Sequence, residues 1–156
     1  NRKALMSNKA NLERMLETMS EAAGNMPIIA PLRTDAAQVV QLLDASKHRN
    51  LHIVQPLGYL EFSYLLLNAA GVITDSGNVA EEATFTNVPC ATLNSYTEHI
   101  ETVKQGTNIL VGEDAQKLRT AVSDMVSGKW KTATIPDRWD GRSAERIIQT
   151  LIDFVK

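Results

Sequence analysis

The chain has 156 residues, of which 44% are apolar and 22% are charged, and its formal net charge is −2. This length and composition predict one globular domain with a full hydrophobic core. The weakly acidic balance gives no electrostatic reason to bind nucleic acid or an anionic membrane surface. The apolar runs are too short to span a bilayer, and no signal peptide opens the sequence. We therefore expect neither a nucleic acid nor a membrane as a partner.

Hydrophobic periodicity predicts short strands that alternate with helices along the chain. Helices are predicted over residues 8–23, 59–69, 78–86, 98–105, 114–127 and 143–155, with another beginning at Thr34 or Asp35. Strands are predicted over residues 27–31, 51–54, 71–74, 90–93 and 109–111, and residues 129–139 are predicted to be irregular. Repeated βα units of this kind indicate an α/β domain with a parallel sheet.

The order of the elements carries a further indication. A doubly wound domain normally opens on a strand, whereas this pattern opens on a helix. We therefore expect the chain to be a fragment that starts just after its first strand.

Helical spacing also predicts which apolar side chains face the core. The inward positions are Leu12, Met15, Leu16 and Met19 in the first helix and Leu118, Val122, Met125 and Val126 in the helix over 114–127. The single cysteine, Cys90, excludes an internal disulfide, and its apolar neighbours predict a small buried side chain. A reducing, cytoplasmic location fits this cysteine usage.

The stretch over residues 74–83, TDSGNVAEEA, is the strongest candidate site. It follows a strand, and ligands of open α/β sheets lie at the carboxyl ends of strands. Gly77 permits close backbone approach, the helix start offers free N–H groups to an anion, and Ser76 adds a hydroxyl donor. A carboxylate one turn further on can accept hydrogen bonds from a vicinal diol such as that of a ribose.

Helix capping explains the same residues without a ligand. Asn78 can be an N-cap with Glu81 as the N3 partner of a capping box, and both glutamates favour the helix dipole. From this stretch alone the capping interpretation is the more frequent one. Capping accounts for Glu81 better than for Glu82, so Glu82 is the predicted ligand contact.

Other common site patterns are absent from the sequence. It contains no dinucleotide fingerprint, P-loop or nucleophile elbow. His48, His52 and His99 show no metal-ligand spacing, so no metal site is predicted. His48, in a polar turn, is predicted to be solvated, and His52, within a strand, is predicted to be structural.

Six stretches, taken together, resemble the non-hydrolysing UDP-N-acetylglucosamine 2-epimerase family. They are 55–62 (QPLGYLEF), 74–82 (TDSGNVAEE), 87–90 (NVPC), 97–101 (TEHIE), 106–112 (GTNILVG) and 139–146 (WDGRSAER). The resemblance implies a Rossmann-like three-layer α/β/α domain, the C-terminal half of a two-domain enzyme with the GT-B architecture. With this resemblance the ligand interpretation of Glu82 outweighs the capping one.

The resemblance also implies roles for individual residues. Ser76 and the backbone of Gly77 and Asn78 would hold the phosphates of UDP, and Glu82 would hold the ribose hydroxyls. The turn from Leu57 to Phe62 would lie against the uracil. The further nucleotide contacts implied by the resemblance are His99 and Arg2.

The family reaction interconverts UDP-N-acetylglucosamine and UDP-N-acetylmannosamine by elimination and re-addition of UDP, without metal or redox cofactor. The acids and bases that move the C2 proton lie mostly on an N-terminal half that this chain does not contain. The expected partners are therefore a UDP-sugar, that N-terminal half and a second copy of the intact protein. We expect the chain alone to bind UDP weakly and to lack epimerase activity.

The sequence departs from the family pattern at four positions. Asn78 stands where a second glycine is usual, His99 where an arginine is usual, Asn1 in place of a histidine, and Ala30 in place of the histidine of a His-Pro pair. Histidine lacks the permanent, forked donor of arginine. Two alternatives stay open: the nucleotide-sugar half of a GT-B glycosyltransferase, and a UDP-sugar-binding module without catalysis.

Overall fold

The computed structural model describes residues 9–32 and 48–155. The helix predicted to begin at Thr34 or Asp35, and the predicted contacts Arg2 and Asn1, lie outside these residues. Within them the elements are α1 (Lys9–Ala23), β1 (Ile28–Pro31), β2 (Leu51–Val54), α2 (Tyr59–Leu67), β3 (Val72–Thr74), α3 (Gly77–Phe85), β4 (Cys90–Thr92), α4 (Ile100–Lys104), β5 (Asn108–Leu110), α5 (Ala115–Val126) and α6 (Ser143–Val155). The predicted type of each is confirmed, with boundaries that differ by at most two residues.

All strand pairs are parallel, as predicted, but they form two sheets instead of one. In the first sheet β1 pairs with β2, and Ile28 lies opposite Leu51. In the second sheet the order is β3-β4-β5, and Cys90 lies between Val72 and Asn108. Among the described residues no ladder joins the two sheets.

Helices cover both faces of the three-stranded sheet, which gives three α/β/α layers. On one face α1 packs along α5. One buried cluster there joins Ala91 and Val111 of the sheet side to residues of both helices, which are Met15, Ala23, Leu118, Ala121, Val122 and Met125. Ile28 of β1 and Ile73 of β3 pack against this same cluster. On the other face Val72 packs with α2 and α3, as the alternation of side chains along a strand requires.

The inward helix faces follow the predicted 3.6-residue period. The predicted inward residues that are buried in α1 and α5 are Leu12, Met15, Leu16, Leu118, Val122 and Met125. Met19 is partly buried against them. Cys90 is completely buried, as predicted, and burial raises its pKa to about 12, so the side chain is a neutral thiol.

Two predictions about individual residues were wrong. Val126 is 38% exposed, because it lies about 80° around α5 from Leu118, at the margin of the apolar stripe. His48 is only 6% exposed instead of solvated. The turn after it is held against the end of α1, since the Asn50 amide donates to the carbonyls of Ser20 and Gly24.

Apolar side chains on α2 and α6 remain exposed. Ile147 and Leu151 of α6 are 60% and 58% exposed, and every apolar residue of that helix faces outward in the described structure. Leu60, Tyr64 and Leu67 of α2 are exposed as well, and His52 is exposed on β2. No helix within the described residues has both the length and the apolar character needed to cross a bilayer.

Candidate functional site

The start of α3 lies at the carboxyl end of β3, where the candidate stretch was predicted. Ser76 is the N-cap, with an extended backbone, and its side chain makes no capping hydrogen bond. The Ala80 N–H donates to the Ser76 carbonyl, so the N–H groups of residues 77–79 have no acceptor within the helix. These amides point out of the first turn, where they can donate hydrogen bonds to an anion.

The capping-box interpretation of this stretch was wrong. It required Asn78 as the N-cap and Glu81 at N3, whereas the helix begins at Gly77 and Val79 occupies N3. The earlier start has a local cause, because the Thr74 hydroxyl accepts a hydrogen bond from the Ser76 N–H at 3.0 Å. This bond turns the chain directly after β3. Asn78 is exposed on the first turn.

A second loop fixes the turn from the side. The Leu93 N–H donates to the Thr74 carbonyl at 2.8 Å, and the Asn94 amide donates to the Asp75 carbonyl at 3.1 Å. The loops that follow β3 and β4 are therefore joined at the carboxyl edge of the sheet. This leaves a fixed backbone around Ser76 and Gly77.

The two adjacent glutamates of α3 have different surroundings. Glu81 Oε1 lies 2.8 Å from Nδ1 of His99. The carboxylate of Glu82 makes no hydrogen bond or ion pair in the part of the chain that the structure describes, and its side chain is half-buried. Glu82 is therefore the glutamate with unused acceptors.

Glu82 lines a groove of about 500 Å³ between α2 and α3. The groove is lined by Tyr59, Ser63, Leu66, Leu67, Glu81, Glu82, Phe85, Thr86 and Trp139. Tyr59 belongs to the predicted turn from Leu57 to Phe62, whereas the sequence analysis did not identify Ser63 or Trp139 as site residues. Tyr59 and Ser63 are one helical turn apart on α2, a spacing that could have indicated a shared face.

His99 lies against the start of α3. A Cβ atom added to Gly77 would collide with Nε2 of the His99 imidazole, so the ring occupies the space that this glycine leaves open. His99 is also the N-cap of α4. Its N–H donates to the Thr97 hydroxyl at 3.0 Å, and its carbonyl accepts from the Thr102 hydroxyl at 2.7 Å.

A buried polar network supports His99 from inside the domain. The Thr92 hydroxyl donates to Asn108 Oδ1 at 2.6 Å, and Asn108 Nδ2 donates to the Thr102 hydroxyl at 3.1 Å. All three side chains are at most 2% exposed. The sequence analysis missed this network, although threonine and asparagine within short apolar strands were its visible signal.

The segment after α5 closes over the same network. Lys131 Nζ donates to the carbonyls of Val103 and Asn108, at 2.6 and 2.7 Å, and burial lowers the pKa of this lysine. The Trp130 indole N–H donates to the Thr107 carbonyl at 2.7 Å. Residues 129–139 contain no helix or strand, as predicted, yet these bonds hold them against β5 and α4.

The structure thus brings together part of the predicted residue set. Ser76, Gly77 and Asn78 form the start of α3, and His99 adjoins them. Leu57 and Phe62 are half-buried at the start of α2, and Phe62 also packs against the apolar cluster beneath α3. Among the described residues no group of three or more histidine, cysteine, aspartate or glutamate side chains could hold a metal ion.

Comparison with known proteins gives a consistent result. The family described as UDP-N-acetylglucosamine 2-epimerase matches residues 2–152. A UDP-N-acetylglucosamine 2-epimerase of Methanocaldococcus jannaschii is 45% identical over 106 residues, which are 67% of this chain and 28% of that protein. A UDP-N-acetylglucosamine 2-epimerase homolog of Methanococcus maripaludis is 36% identical over 150 residues, 92% of this chain and 40% of that protein.

A solved structure extends the likeness to three dimensions. The crystal structure of the Methanocaldococcus jannaschii epimerase in complex with UDP-GlcNAc and UDP has a TM-score of 0.77 and 35% sequence identity, and covers 97% of this chain. This chain corresponds to 43% of that structure. The chain therefore spans well under half the length of these similar proteins.

Proposed function

The chain belongs to the UDP-N-acetylglucosamine 2-epimerase family, and from this premise we propose that it binds the UDP portion of a UDP-sugar. The main support for this proposal is that the N-cap side chain at the start of α3 makes no capping hydrogen bond. The three first-turn amides, which have no acceptor within the helix, and the Ser76 hydroxyl can donate hydrogen bonds to a diphosphate, and helix starts favour negative charge. Asn78, exposed on the same turn, is within this phosphate subsite.

Glu82 is proposed to hold the ribose. Its carboxylate has no partner among the described residues, and it lies on α3 about one turn beyond the diphosphate amides. A carboxylate can accept hydrogen bonds from two neighbouring hydroxyls, as a ribose presents them. The turn from Leu57 to Phe62, at the start of α2, is proposed to contact the uracil.

We also propose that a strand outside this chain completes the sheet between β1 and β3. Ile28 and Ile73 pack into one core, so β1 is the strand of its sheet that lies nearer to β3, yet no ladder joins them. α1 leads into β1 on one face, and α3 joins β3 to β4 on the other. If both connections are right-handed, the strand that leads into α1 lies on the β3 side of β1.

For the intact protein we propose the family reaction, with this domain holding UDP while an N-terminal half moves the C2 proton. UDP-N-acetylglucosamine would then be converted to UDP-N-acetylmannosamine for polysaccharide synthesis. A cytoplasmic homodimer is the form we propose, and the buried free thiol of Cys90 is compatible with a reducing compartment. The same UDP site would also serve a glycosyltransferase or a binding module without catalysis.

Calorimetry with UDP tests the binding proposal. Glu82→Ala is expected to weaken binding by about 1–3 kcal/mol, because the ribose hydroxyls lose their acceptor. Glu101→Ala, which removes an exposed glutamate from α4, serves as the matched control and should bind like the wild type. Equal affinities in all three proteins would refute the role of Glu82.

The reaction is tested separately on the intact protein in deuterated water. An epimerase incorporates deuterium at C2 of the UDP-sugar without any acceptor, whereas a glycosyltransferase does not. Incorporation supports the proposed reaction. UDP binding without exchange favours a transferase or a binding module.

A further inference from the structure

Glu81 determines which nitrogen of His99 carries a proton. The carboxylate of Glu81 is only an acceptor when ionised, and it lies 2.8 Å from Nδ1 of the imidazole. Nδ1 must therefore be the N–H donor of this contact. A neutral imidazole has a single N–H, so its Nε2 is then an acceptor with a lone pair.

That second nitrogen faces the start of α3. Nε2 is the imidazole atom closest to the position of a Gly77 Cβ, beside the free amides of the first turn. In the neutral ring Nε2 presents a lone pair to an anion held there, which is repulsive. In the protonated ring both nitrogens donate, so Nδ1 remains bonded to Glu81 while Nε2 can donate to a phosphate oxygen.

We propose that His99 is a proton-dependent phosphate donor and that Glu81 is the positioning residue that makes it so. The inference rests on the proposed UDP site. It predicts that a UDP-sugar binds more tightly when the His99 imidazole is protonated than when it is neutral. The backbone N–H and carbonyl of His99 are hydrogen-bonded to the Thr97 and Thr102 hydroxyls, so the position of the residue that carries the ring is fixed.

Other ionisable groups near this position must be considered in a pH experiment. The charged residues on the elements that meet at His99 are Asp75 before α3, Glu81 and Glu82 on α3, Glu98 beside the histidine, and Glu101 and Lys104 on α4. Histidine is the side chain whose ordinary titration lies between pH 5 and pH 8. A change of affinity within this interval that disappears on replacing His99 therefore reports its imidazole.

The test measures UDP-N-acetylglucosamine binding by calorimetry at about pH 5.5 and about pH 8, on either side of an ordinary histidine titration. Both phosphates of this ligand are esterified, whereas the terminal phosphate of free UDP would itself titrate in the interval. For the wild type we expect roughly tenfold tighter binding at the lower pH, the scale of one charge-assisted hydrogen bond. His99→Arg, with a permanent donor, should bind equally well at both pH values.

Glu81→Gln separates positioning from a merely structural role. A glutamine amide can donate to Nδ1, which frees the neutral ring to carry its proton on Nε2. This variant should therefore gain affinity at the higher pH and lose most of the pH dependence. Nitrogen-15 NMR of the imidazole should show the neutral ring protonated at Nδ1 in the wild type and shifted toward Nε2 in the variant.

The outcomes distinguish this inference from the proposed function. Wild-type binding of equal strength at both pH values overturns the role of His99 and leaves the UDP site standing. No binding at either pH in any of the three proteins refutes the UDP site, and this inference with it. A neutral wild-type ring protonated at Nε2 overturns the inference whatever the affinities are.

Discussion

The starts of α3 and α5 are alike in their backbone and opposite in their chemistry. Each helix follows a parallel strand, and each has an N-cap residue in an extended conformation. At α5 the Asp114 carboxylate accepts hydrogen bonds from the N–H groups of Gln116 and Lys117, at 2.9 and 3.0 Å. At α3 the Ser76 side chain makes no such bond.

The difference shows how each helix is stabilised. α5 satisfies its own first turn, and the backbone hydrogen bonds from Lys117 and Gln116 lower the pKa of Asp114. The first-turn amides of α3 have no side-chain cap among the described residues, and the helix depends on packing behind them, where Ala80 and Ala83 are completely buried. A helix that is stabilised by packing does not need a side-chain cap, so its first-turn N–H groups can bind a ligand.

The largest expected effect comes from the network behind α3 and α4. Thr102→Val removes the acceptor of Asn108 Nδ2 and one of the two donors to the His99 carbonyl, so the buried Asn108 amide loses its hydrogen bond to Thr102 while the carbonyl keeps the Thr102 N–H. We expect the free energy of unfolding to fall by about 1–3 kcal/mol in urea denaturation.

Thr84→Val is the matched control for this change. Thr84 is also buried, but its hydroxyl has no hydrogen-bond partner among the described residues. Replacing an unsatisfied hydroxyl by a methyl group should leave stability unchanged or raise it. An equal loss in both variants would mean that the network does not support α4.

Gly112 and Gly77, near the starts of α5 and α3, give the next largest expected effects. Gly112, in the loop before α5, has φ +59°, and no atom lies closer than 4.0 Å to an added Cβ. Gly112→Ala should therefore lower stability by about 1 kcal/mol through backbone strain, without changing UDP binding.

Gly77→Ala should behave in the opposite way. Its Cβ displaces the His99 ring rather than straining the backbone, so we expect nearly unchanged stability and, at about pH 5.5, roughly tenfold weaker binding of UDP-N-acetylglucosamine. Urea midpoints and calorimetry on both variants provide the measurement. Weaker binding in Gly112→Ala as well would show that the two helix starts are coupled.

The smallest effect is the acid dependence of the α5 cap. Because the pKa of Asp114 is lowered on folding, its contribution to stability is present above the pKa of the unfolded carboxyl. That contribution is lost as the pH falls through the folded value. Asn is also a good N-cap but does not titrate, so Asp114→Asn should lose less stability than the wild type between about pH 6 and pH 3.

Urea midpoints across this pH range measure the difference, and Ser76→Ala provides the contrast at α3. Serine does not titrate and makes no capping bond there, so this variant should follow the wild-type acid dependence. Parallel curves for Asp114→Asn and the wild type would show that the cap of α5 does not contribute to acid sensitivity.

Much of the fold could be predicted because its signals are local. The spacing of Leu118, Val122 and Met125 predicted the buried face of α5, and short apolar runs predicted all five described strands. The position of the candidate site followed from one strand end and one glycine-containing turn. Local capping rules favoured Glu82 over Glu81 as the ligand contact, and the family resemblance raised the ligand interpretation of Glu82 above the capping one.

The amino-acid sequence was enough to predict which segments become helix or strand, and that a polar turn with two glutamates follows β3. The packing of the folded chain was needed to show that Glu81 contacts His99, 18 residues away, and that Glu82 is left without a partner in the described residues. Likewise, the apolar stripe of α6 predicted a helix but not that its apolar face would be exposed. The physical reason is that periodicity and turn chemistry act between near neighbours in the chain, whereas contacts between side chains depend on which segments the packed layers bring together.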